Sequence, residues 1–382
     1  MTRVSGDPPT SVQPQPASVS DQEISDAYIY LLGRLLVARQ QQLDFQEEFK
    51  WNEILHRKPG AVDWPNPNLD VAYSEAWVAV DENSCTIVSV PKIEGRSYTV
   101  QVLNGWGETL ANINERVFPR YPYGDFAVCL QGATVSLPAD VQRIDLENLP
   151  GVEAFDAADI ALDSERDLNP GMEPLQETAR AIARAVKDPE QRARVDKAIR
   201  TVAFADFAKA GSPIGHGTIR NGWARPAVVG AYNIDYLART LINYGGIWAN
   251  IAPEVMYYRA STDGTGAPLS GDNAYTMTFP KDQLPAHYAN YFWSVIAVDT
   301  RHFRVLPNPK EKYLINEQSK PDYGPDGSLT FRSAAEKPAD VPEGNWLPTP
   351  KGSVYRLTFR FYGPIDGVSN GTYWPPALRR VN

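Results

Sequence analysis

The sequence predicts a mainly β protein with helical insertions, in which two antiparallel β-sandwich modules are joined by a helical segment. Short runs of β-branched and aromatic residues, bounded by proline and glycine, occupy roughly residues 63–150 and return from Tyr275 onward. Patterns with helical spacing fill the stretch between them, and the 32 prolines suit many short strands joined by rigid loops. Strands, then helices, then strands are not the order of a βαβ repeat.

The first element is predicted to be an amphipathic helix that begins at Ser20. Ser20 and Glu23 have the S-x-x-E spacing of a capping box, in which two side chains satisfy backbone donors at the helix start. One apolar stripe then continues to about Arg39 through Ile24, Tyr28, Leu31, Leu32 and Leu35. The proline-rich residues 1–19 are expected to form a disordered tail.

Three strands are predicted in the first module, namely Thr86–Val90, Tyr98–Leu103 and Phe126–Leu130. Their lengths and residue types, and the proline and glycine residues that separate them, are typical of an antiparallel sheet.

The middle of the chain is predicted to be helical. The first helical stretch runs from about Glu173 to Ala210, with a break at Asp188-Pro189. The charged residues after the break are expected to lie on the solvated face of an amphipathic helix. A third helix is predicted from Tyr232 to about Ile251, before Ala252-Pro253.

The last part of the chain returns to strands. Trp293–Val298 is a continuous apolar run apart from Ser294. Tyr355–Phe361 alternates large apolar residues with Arg356, Thr358 and Arg360, which predicts a half-buried antiparallel strand.

Composition excludes several classes of function. With 37 Lys and Arg against 46 Asp and Glu, the net charge is −9, so broad binding to nucleic acid or to an anionic membrane is not expected. Two cysteines, Cys85 and Cys129, cannot build a disulfide framework, and four histidines leave little material for metal sites. We therefore expect neither a metal nor a cofactor.

No targeting or membrane-spanning segment is expected. Residues 1–20 contain one basic residue and no apolar core, unlike a secretory signal. Nothing in the chain approaches 18 consecutive apolar residues. A cytoplasmic protein is predicted, and export stays open in case an upstream signal was removed.

Two ordered series of motifs resemble a known tandem family. The first series consists of Pro65–Ser74, Val88–Pro91 and Arg96–Trp106. The second consists of Leu284-Pro285, Phe292–Ser294, Asn308-Pro309, Tyr313, Asp326–Leu329, Asn345–Pro348 and Pro350. The first is similar to domain of unknown function 1254 and the second to its usual companion, domain of unknown function 1214. Together the resemblance spans roughly residues 63–150 and 230–376.

The resemblance implies architecture more than chemistry, namely two jelly-roll-like β-sandwiches with helical elaborations. The predicted organisation is a tail at 1–19, an N-terminal helix with the first sandwich at 20–150, a helical bridging segment at 151–260 and the second sandwich at 261–382. Many members look exported, whereas no signal is seen here. Because no common reaction is established for such families, the resemblance assigns no catalytic residue.

The segment from Asn66 to Glu75 is the polar cluster with the strongest claim to chemistry. Two X-Pro units restrain the backbone around Asn66 and Asn68. If the residues after Asp70 begin a strand, Tyr73 and Glu75 share one of its faces. A phenol beside a carboxylate in a partly dry cavity can act as general acid and base, so Asp70 and Tyr73 are candidate catalytic residues.

The other polar residues of this segment, Asn66, Asn68 and Glu75, are candidate substrate-binding residues. The alternative is structural, since Asn and Asp beside prolines often satisfy the backbone of turns, and Tyr often packs.

Four further residues are singled out. His216 lies in a loop of small residues and is the third candidate catalytic residue. Trp106 and Trp346 each follow an asparagine-containing loop, where burial is harder, and are expected to stack on a ligand. Arg239, in the third predicted helix, is a candidate partner for an anionic group. The alternatives are an inert histidine, packed tryptophans and a solvated arginine.

Standard catalytic motifs such as a G-x-S-x-G elbow, a Walker loop or H-E-x-x-H are missing from the sequence. The first hypothesis is a cofactor-independent hydrolase, lyase or isomerase that acts on a small organic molecule by general acid–base chemistry. The second is a non-catalytic carbohydrate- or ligand-binding jelly roll. A third, an assembly subunit, leaves homo-oligomerisation open. A small-molecule partner is expected, and neither nucleic acid nor a membrane is.

Overall fold

The computed structural model describes residues 19–57, 60, 65–120, 122–130, 142–146, 162–163, 167 and 169–381. This part of the chain is mainly antiparallel β-sheet with several helices, as the sequence predicts. The predicted tail, except for Val19, lies outside the described residues, and so does the predicted boundary at residue 150.

The N-terminal helix is α1, Asp21–Gln46. The predicted capping box is confirmed, because the Ser20 hydroxyl accepts the Glu23 N–H at 3.2 Å and the Glu23 carboxylate accepts the Ser20 N–H at 2.8 Å. The helix continues past the end of the predicted apolar stripe. Polar contacts hold this last part, where the Asp44 carboxylate accepts a hydrogen bond from Trp77 Nε1 at 2.9 Å.

The other described helices are α2 (Glu173–Ala185), α3 (Pro189–Ala198), α4 (Phe204–Gly211), α5 (Tyr236–Gly246) and α6 (Asp366–Asn370). A π-helical turn, Ile199–Ala203, joins α3 to α4. The predicted break is confirmed: the Asp188 carboxylate accepts two backbone N–H groups of α3, and Pro189 occupies the first position, where no N–H is needed.

Helix α1 packs against α2 and α5. Helix α5 is shorter than the predicted span of Tyr232 to Ile251. Short 3₁₀ turns lie at Lys281–Gln283, Pro285–Tyr288, Glu317–Ser319 and Glu343–Asn345. None of the described helices carries an apolar stretch long enough to cross a bilayer.

The described strands follow in chain order. In the first half they are β1 (Leu55–His56), β2 (Ser74–Glu75), β3 (Cys85–Val90), β4 (Val100–Leu103), β5 (Thr109–Ile113), β6 (Gly124–Leu130) and β7 (Gln142–Leu146). In the second half they are β8 (Thr218–Arg220), β9 (Trp223–Arg225), β10 (Val255–Ala260), β11 (Ala274–Phe279), β12 (Ala289–Asp299), β13 (Leu314–Asn316), β14 (Leu329–Ala334), β15 (Trp346–Pro348), β16 (Tyr355–Pro364) and β17 (Arg379–Val381). We call β1–β7 the first module and β8–β17 the second module.

The second module contains two sheets that share one core. One sheet has six strands in the order β13-β12-β16-β10-β9-β8, and the other has four in the order β15-β14-β11-β17. The shared core includes Trp223, Trp293, Phe279 and Phe359, and burying a side chain such as Phe contributes about 1.5–3 kcal/mol. Strands β8, β9 and β10 come from the segment that was predicted to be a helical bridge.

The first module consists of smaller sheets, β3-β6-β7, β4-β5 and β1-β2. The three strands predicted here are confirmed as β3, β4 and β6. Antiparallel pairing of β3 with β6 places Cys85 opposite Cys129, and a disulfide joins them. A jelly-roll topology for the two modules stays a prediction.

Strands β12 and β16 of the six-stranded sheet are buried on both faces, whereas the edge strand β8 is exposed. One face of the sheet meets the shared core, and the other, which we call the outer face, is covered at β12 and β16 by residues 65–70 of the first module. The prediction of a half-buried strand at Tyr355–Phe361 is therefore wrong, because Thr358 and Arg360 on the outer face of β16 are buried as well. The covering segment lies almost 300 positions away in sequence, which local periodicity cannot show.

Candidate functional site

Four polar residues form one row across the outer face, at the same level on four neighbouring strands. The antiparallel register places Ser294 of β12 beside Asn316 of β13 and Arg360 of β16, and Arg360 beside Tyr257 of β10. We call Asn316, Ser294, Arg360 and Tyr257 the polar row. Much of the rest of this face is apolar, so the buried polar groups of the row need polar partners.

The Asp70 carboxylate lies over one end of the polar row. Its Oδ2 atom accepts a hydrogen bond from Ser294 Oγ at 2.5 Å and another from the Tyr362 hydroxyl at 3.4 Å. Its Oδ1 atom accepts a hydrogen bond from Asn316 Nδ2 at 2.9 Å. All of these donors are uncharged, so they orient the carboxylate without neutralising it.

Arg360 and Asn66 hold the first module against the sheet. Arg360 donates to the carbonyl oxygens of Asn66 at 2.7 Å and Pro67 at 3.1 Å. The Asn66 side chain accepts from Thr358 Oγ1 at 2.8 Å and donates to the Gly245 carbonyl at 2.6 Å. Asn66 has a φ of 50°, in the left-handed region that Asn tolerates better than most residues. Asn66 thus has a structural role, which the sequence analysis gave as the alternative to substrate binding.

Tyr73 is partly exposed, yet its hydroxyl is desolvated. The residue is 41% exposed, while burial raises the pKa of its phenol well above the usual value. The exposed fraction is that of the whole residue, whereas the pKa responds to the protein atoms around the hydroxyl. The two observations agree if the exposed atoms are not those of the hydroxyl.

Asn68 links Asp70 to Tyr73. Its Oδ1 atom accepts the Asp70 N–H at 3.1 Å. Its side chain also hydrogen-bonds to the Tyr73 hydroxyl, which lowers the pKa of that phenol by less than burial raises it. Because Oδ1 is occupied by the backbone, the amide nitrogen is the end that faces the phenol.

Three phenols surround Arg360, those of Tyr73, Tyr257 and Tyr362. Burial is the largest cause that raises the pKa of each phenol, and the charge of Arg360 offsets only part of this rise. Burial lowers the pKa of Arg360, but the phenols and Asp70 together raise it by more. At neutral pH the phenols are therefore protonated and the guanidinium is charged, so this cluster is rich in hydrogen-bond donors.

Glu75, a candidate binding residue, is engaged by Arg57. Arg57 Nε lies 2.8 Å from Glu75 Oε2, and the same guanidinium contacts Asp44 and Glu47. Burial raises the pKa of Glu75 by more than Arg57 lowers it. The charge of Glu75 is among the smaller causes that raise the pKa of Tyr73, so the two side chains are neighbours.

Trp106 and Arg239, two further candidate binding residues, meet in a second cluster that we call the arginine sandwich. The Arg239 guanidinium lies 4.5 Å from the centre of the Trp106 ring and 5.6 Å from that of Tyr30. Its Nη2 atom lies 2.9 Å from Asp167 Oδ2. Arg239 is fully buried, so the alternative of a solvated helix arginine is wrong.

The prediction that loop position would keep Trp106 and Trp346 from full burial is also wrong. Trp106 is 0% exposed and Trp346 is 5% exposed. Trp346 Nε1 donates to the Ala334 carbonyl at 3.0 Å, so the polar end of its ring is satisfied inside the protein. Neither ring is available to stack on a ligand from solvent.

The structure does not bring His216 to Asp70 or Tyr73. His216 Nδ1 lies 3.1 Å from Asp235 Oδ2, and the imidazole is mostly exposed. Asp235 is the N-cap of α5, where its side chain accepts the Ala238 N–H at 2.9 Å. His216 is therefore a surface residue beside a helix start.

Two cavities of the described chain lie away from Tyr73. A void of about 10 Å³ lies in the shared core beside Met277 and Leu357, with room for no more than a water. An open groove of about 580 Å³ lies between α1 and α2, beside Glu23 and Arg180. Its lining mixes charged and apolar side chains without a converging donor set, so the donor geometry around Tyr73 identifies a site better than volume does.

Among the described residues, no three His, Cys, Asp or Glu side chains converge in a way that would hold a metal ion. The residues that do converge at Tyr73 are phenols, amides, one carboxylate and one guanidinium. This donor set suits a small polar organic molecule.

Family models match both modules. The family described as Protein of unknown function (DUF1254) matches residues 51–181, and Protein of unknown function (DUF1214) matches residues 254–366. The chain belongs to the tandem DUF1254–DUF1214 family. The DUF1254 region supplies Asp70 and Tyr73, and the DUF1214 region supplies the polar row, so the candidate site lies where the two regions meet. No curated protein matches the chain.

Two solved structures are similar to this DUF1254–DUF1214 chain. The VPA0106 protein from Vibrio parahaemolyticus is 17% identical with a TM-score of 0.60, over 95% of this chain and 100% of that chain. An uncharacterized protein from Burkholderia cenocepacia is 14% identical with a TM-score of 0.43, over 94% of this chain and 93% of that chain. The first similarity supports the fold alone, and the second is too weak to argue from.

Inspection of the sequence missed most of the polar row and Tyr362. Ser294 had a usable signal, because it is a lone hydroxyl in an apolar run that is otherwise buried. Arg360 had a misleading signal, because a charge that alternates with apolar residues normally faces water. Only the contact with the first module shows that this face of β16 is covered.

Proposed function

We propose that the protein binds a small organic molecule beside Tyr73 and acts on it by general acid–base chemistry without a nucleotide cofactor. The observation that carries this proposal is that Tyr73 is 41% exposed while its hydroxyl lies in a desolvated cluster around Arg360. Accessible groups with shifted pKa values are concentrated at functional sites.

In this proposal Asp70 is the base and Tyr73 is the proton donor. Asp70 is oriented by Ser294 and Asn316, and its two oxygen atoms keep part of their acceptor capacity for a proton of the bound molecule. Tyr73 stays protonated at neutral pH because its pKa is raised. Hydrolysis, elimination and isomerisation all use this pair of roles. We leave out His216, because its partner is Asp235 at the surface.

The test is a screen of small organic molecules by mass spectrometry, followed by kinetics of the variants Tyr73→Phe and Asp70→Asn. Loss of a positioned acid or base costs about 10²–10⁴-fold in turnover, and both variants are expected to lose at least the lower figure. Tyr323→Phe, which changes an exposed tyrosine elsewhere, is the matched control. Undiminished turnover in both variants would remove Asp70 and Tyr73 from the mechanism.

The alternative is a carbohydrate- or ligand-binding jelly roll that releases its ligand unchanged. Its original basis was ligand stacking on Trp106 and Trp346, and the burial of both rings takes that basis away. A binder centred on Tyr73 is still compatible with the donor cluster. In the same screen, a binder shows saturable retention of a compound with no mass change, whereas an enzyme gives a product.

Two features of the protein bear on its cellular compartment. The sequence analysis predicts the cytoplasm, whereas the Cys85–Cys129 bond favours an oxidising compartment, where disulfides persist. We give the bond more weight, because it depends on residues inside the fold. Alkylation of the protein in its own cells, followed by counting of modified cysteines, decides between them.

A further inference from the structure

We propose that the molecule bound at the Tyr73 site carries a carboxylate group, which is held by Arg360 and by the hydroxyls of Tyr73 and Tyr257. This inference rests on the proposed function, because it names the class of ligand for the same site. The inference follows from comparing the donors and acceptors of this site that already have a hydrogen-bond partner with those that are left for a ligand.

The two phenols keep hydrogen-bonding capacity for a ligand. The Tyr257 hydroxyl accepts the Asn250 N–H at 3.3 Å, so its lone pair is engaged by the backbone. The Tyr73 hydroxyl has the Asn68 side chain as its hydrogen-bond partner. A phenol both donates and accepts, so each of the two hydroxyls keeps hydrogen-bonding capacity for a further group.

Arg360 supplies a positive charge that is not matched by contact. It is 4% exposed, and the described ion pairs, all within 4.0 Å, do not include it. Among the described residues it donates hydrogen bonds to the carbonyl oxygens of Asn66 and Pro67. The nearby acid, Asp70, is held by Ser294, Asn316 and Tyr362 instead.

A buried charge without a contacting counter-ion is unfavourable, and an anionic ligand would supply that counter-ion. Arg360 and the two phenols are all hydrogen-bond donors, so these three groups select an acceptor. A guanidinium pairs well with the planar carboxylate group. A single guanidinium with neutral phenols matches a monoanion better than an inorganic phosphate dianion.

The experiment measures binding of carboxylates against their own amides by isothermal titration calorimetry. The probes are acetate with acetamide, benzoate with benzamide, and inorganic phosphate as a separate arm. At least one carboxylate is expected to bind about tenfold or more tightly than its amide, the size expected for a hydrogen bond to a charged group. Tyr257→Phe is expected to weaken that binding by a similar factor, and Tyr323→Phe is expected to leave it unchanged.

Arg360→Gln is expected to abolish the preference for the carboxylate, and Tyr257→Phe covers the case in which loss of Arg360 prevents folding. The proposal is wrong if every carboxylate binds no better than its amide at millimolar concentration, or if phosphate binds more tightly than the carboxylates. Binding of a carboxylate without turnover of any compound would remove the proposed enzymatic function and leave this inference in place. Turnover of neutral compounds without carboxylate binding would do the reverse.

Discussion

Arg239 and Arg360 are both almost completely buried, and their surroundings differ in kind. Arg239 is paired with Asp167 at 2.9 Å and lies between the rings of Trp106 and Tyr30. Arg360 has backbone carbonyls as its close partners and phenols around it. Burial by itself therefore does not distinguish a structural charge from a functional one.

The difference lies in what each arginine has left to offer. The charge of Arg239 is neutralised by a buried carboxylate and two aromatic rings flank it, so it fastens α5 to α1 and to the loop of Trp106, although its Nε and Nη1 atoms have no hydrogen-bond partner among the described residues. The charge of Arg360 is not matched by contact, and it lies near Tyr73, which is 41% exposed. A buried charge without a contacting counter-ion near a partly exposed tyrosine is the feature that makes the Tyr73 region the candidate site.

Breaking the ion pair of Arg239 and Asp167 is expected to have the largest effect on the free energy of unfolding. Asp167→Asn leaves a buried guanidinium without its counter-charge, which costs about 3–5 kcal/mol in the free energy of unfolding. Asp163→Asn, which removes an exposed partner of Arg180, is the control and is expected to cost less than about 1 kcal/mol. Urea denaturation measures both. Equal costs for the two variants would show that Arg239 is not a structural lock.

Removing one uncharged hydrogen-bond donor from the Asp70 carboxylate is expected to have an intermediate effect on the free energy of unfolding. Ser294→Ala takes away the 2.5 Å hydrogen bond to Asp70, which keeps its contacts with Asn316 and Tyr362. The free energy of unfolding should fall by about 1–3 kcal/mol, the cost of a lost partner for a buried polar group.

Ser369→Ala, on the exposed surface of α6, is the matched control and should stay within about 0.5 kcal/mol of the unmodified protein. If Ser294→Ala also stays within that range, the Ser294–Asp70 contact contributes nothing to stability.

The smallest effect on stability is expected for a substitution of Glu75, and this effect depends on pH. Burial raises the pKa of Glu75 in the folded protein above its unfolded value of 4.5, so the folded state holds the proton more tightly. The ionised carboxylate therefore destabilises the fold above the folded pKa, and this cost disappears as the pH falls below 4.5.

Glu75→Gln is accordingly expected to be more stable than the unmodified protein at pH 7, by about 1 kcal/mol or less because of the contact with Arg57. The difference should vanish near pH 4. Thermal unfolding between pH 4 and pH 8 measures it, and a variant that is less stable at pH 7 would mean that the ion pair outweighs burial.

Local features of the fold were predictable because they depend on neighbours in sequence. The capping box of Ser20 and Glu23 and the break at Asp188-Pro189 are examples, since both concern backbone groups within one helical turn. The same holds for strands β3, β4 and β6, whose residue types and bounding turns are local. Family membership was also predictable, because its motifs are contiguous.

Predictions about exposure were less secure. Trp106 was expected to be hard to bury in a loop, yet the Asn104 side chain accepts its N–H at 3.0 Å and supports a buried turn. Arg239 looked like a solvated charge on a helix, but Asp167 and two aromatic rings bury it. In each case the partners lie elsewhere in the chain or depend on the loop conformation, which no periodic pattern encodes.

The amino-acid sequence on its own determined the kinds of element, their order and the family, because propensity, capping and turn chemistry act over a few residues. It also singled out the segment that contains Asp70 and Tyr73. Tertiary structure alone decided that this segment crosses the outer face of the second module, where Ser294, Asn316 and Arg360 meet it. The physical reason is that a buried polar group takes its partners from any part of the chain that the fold brings within hydrogen-bonding distance.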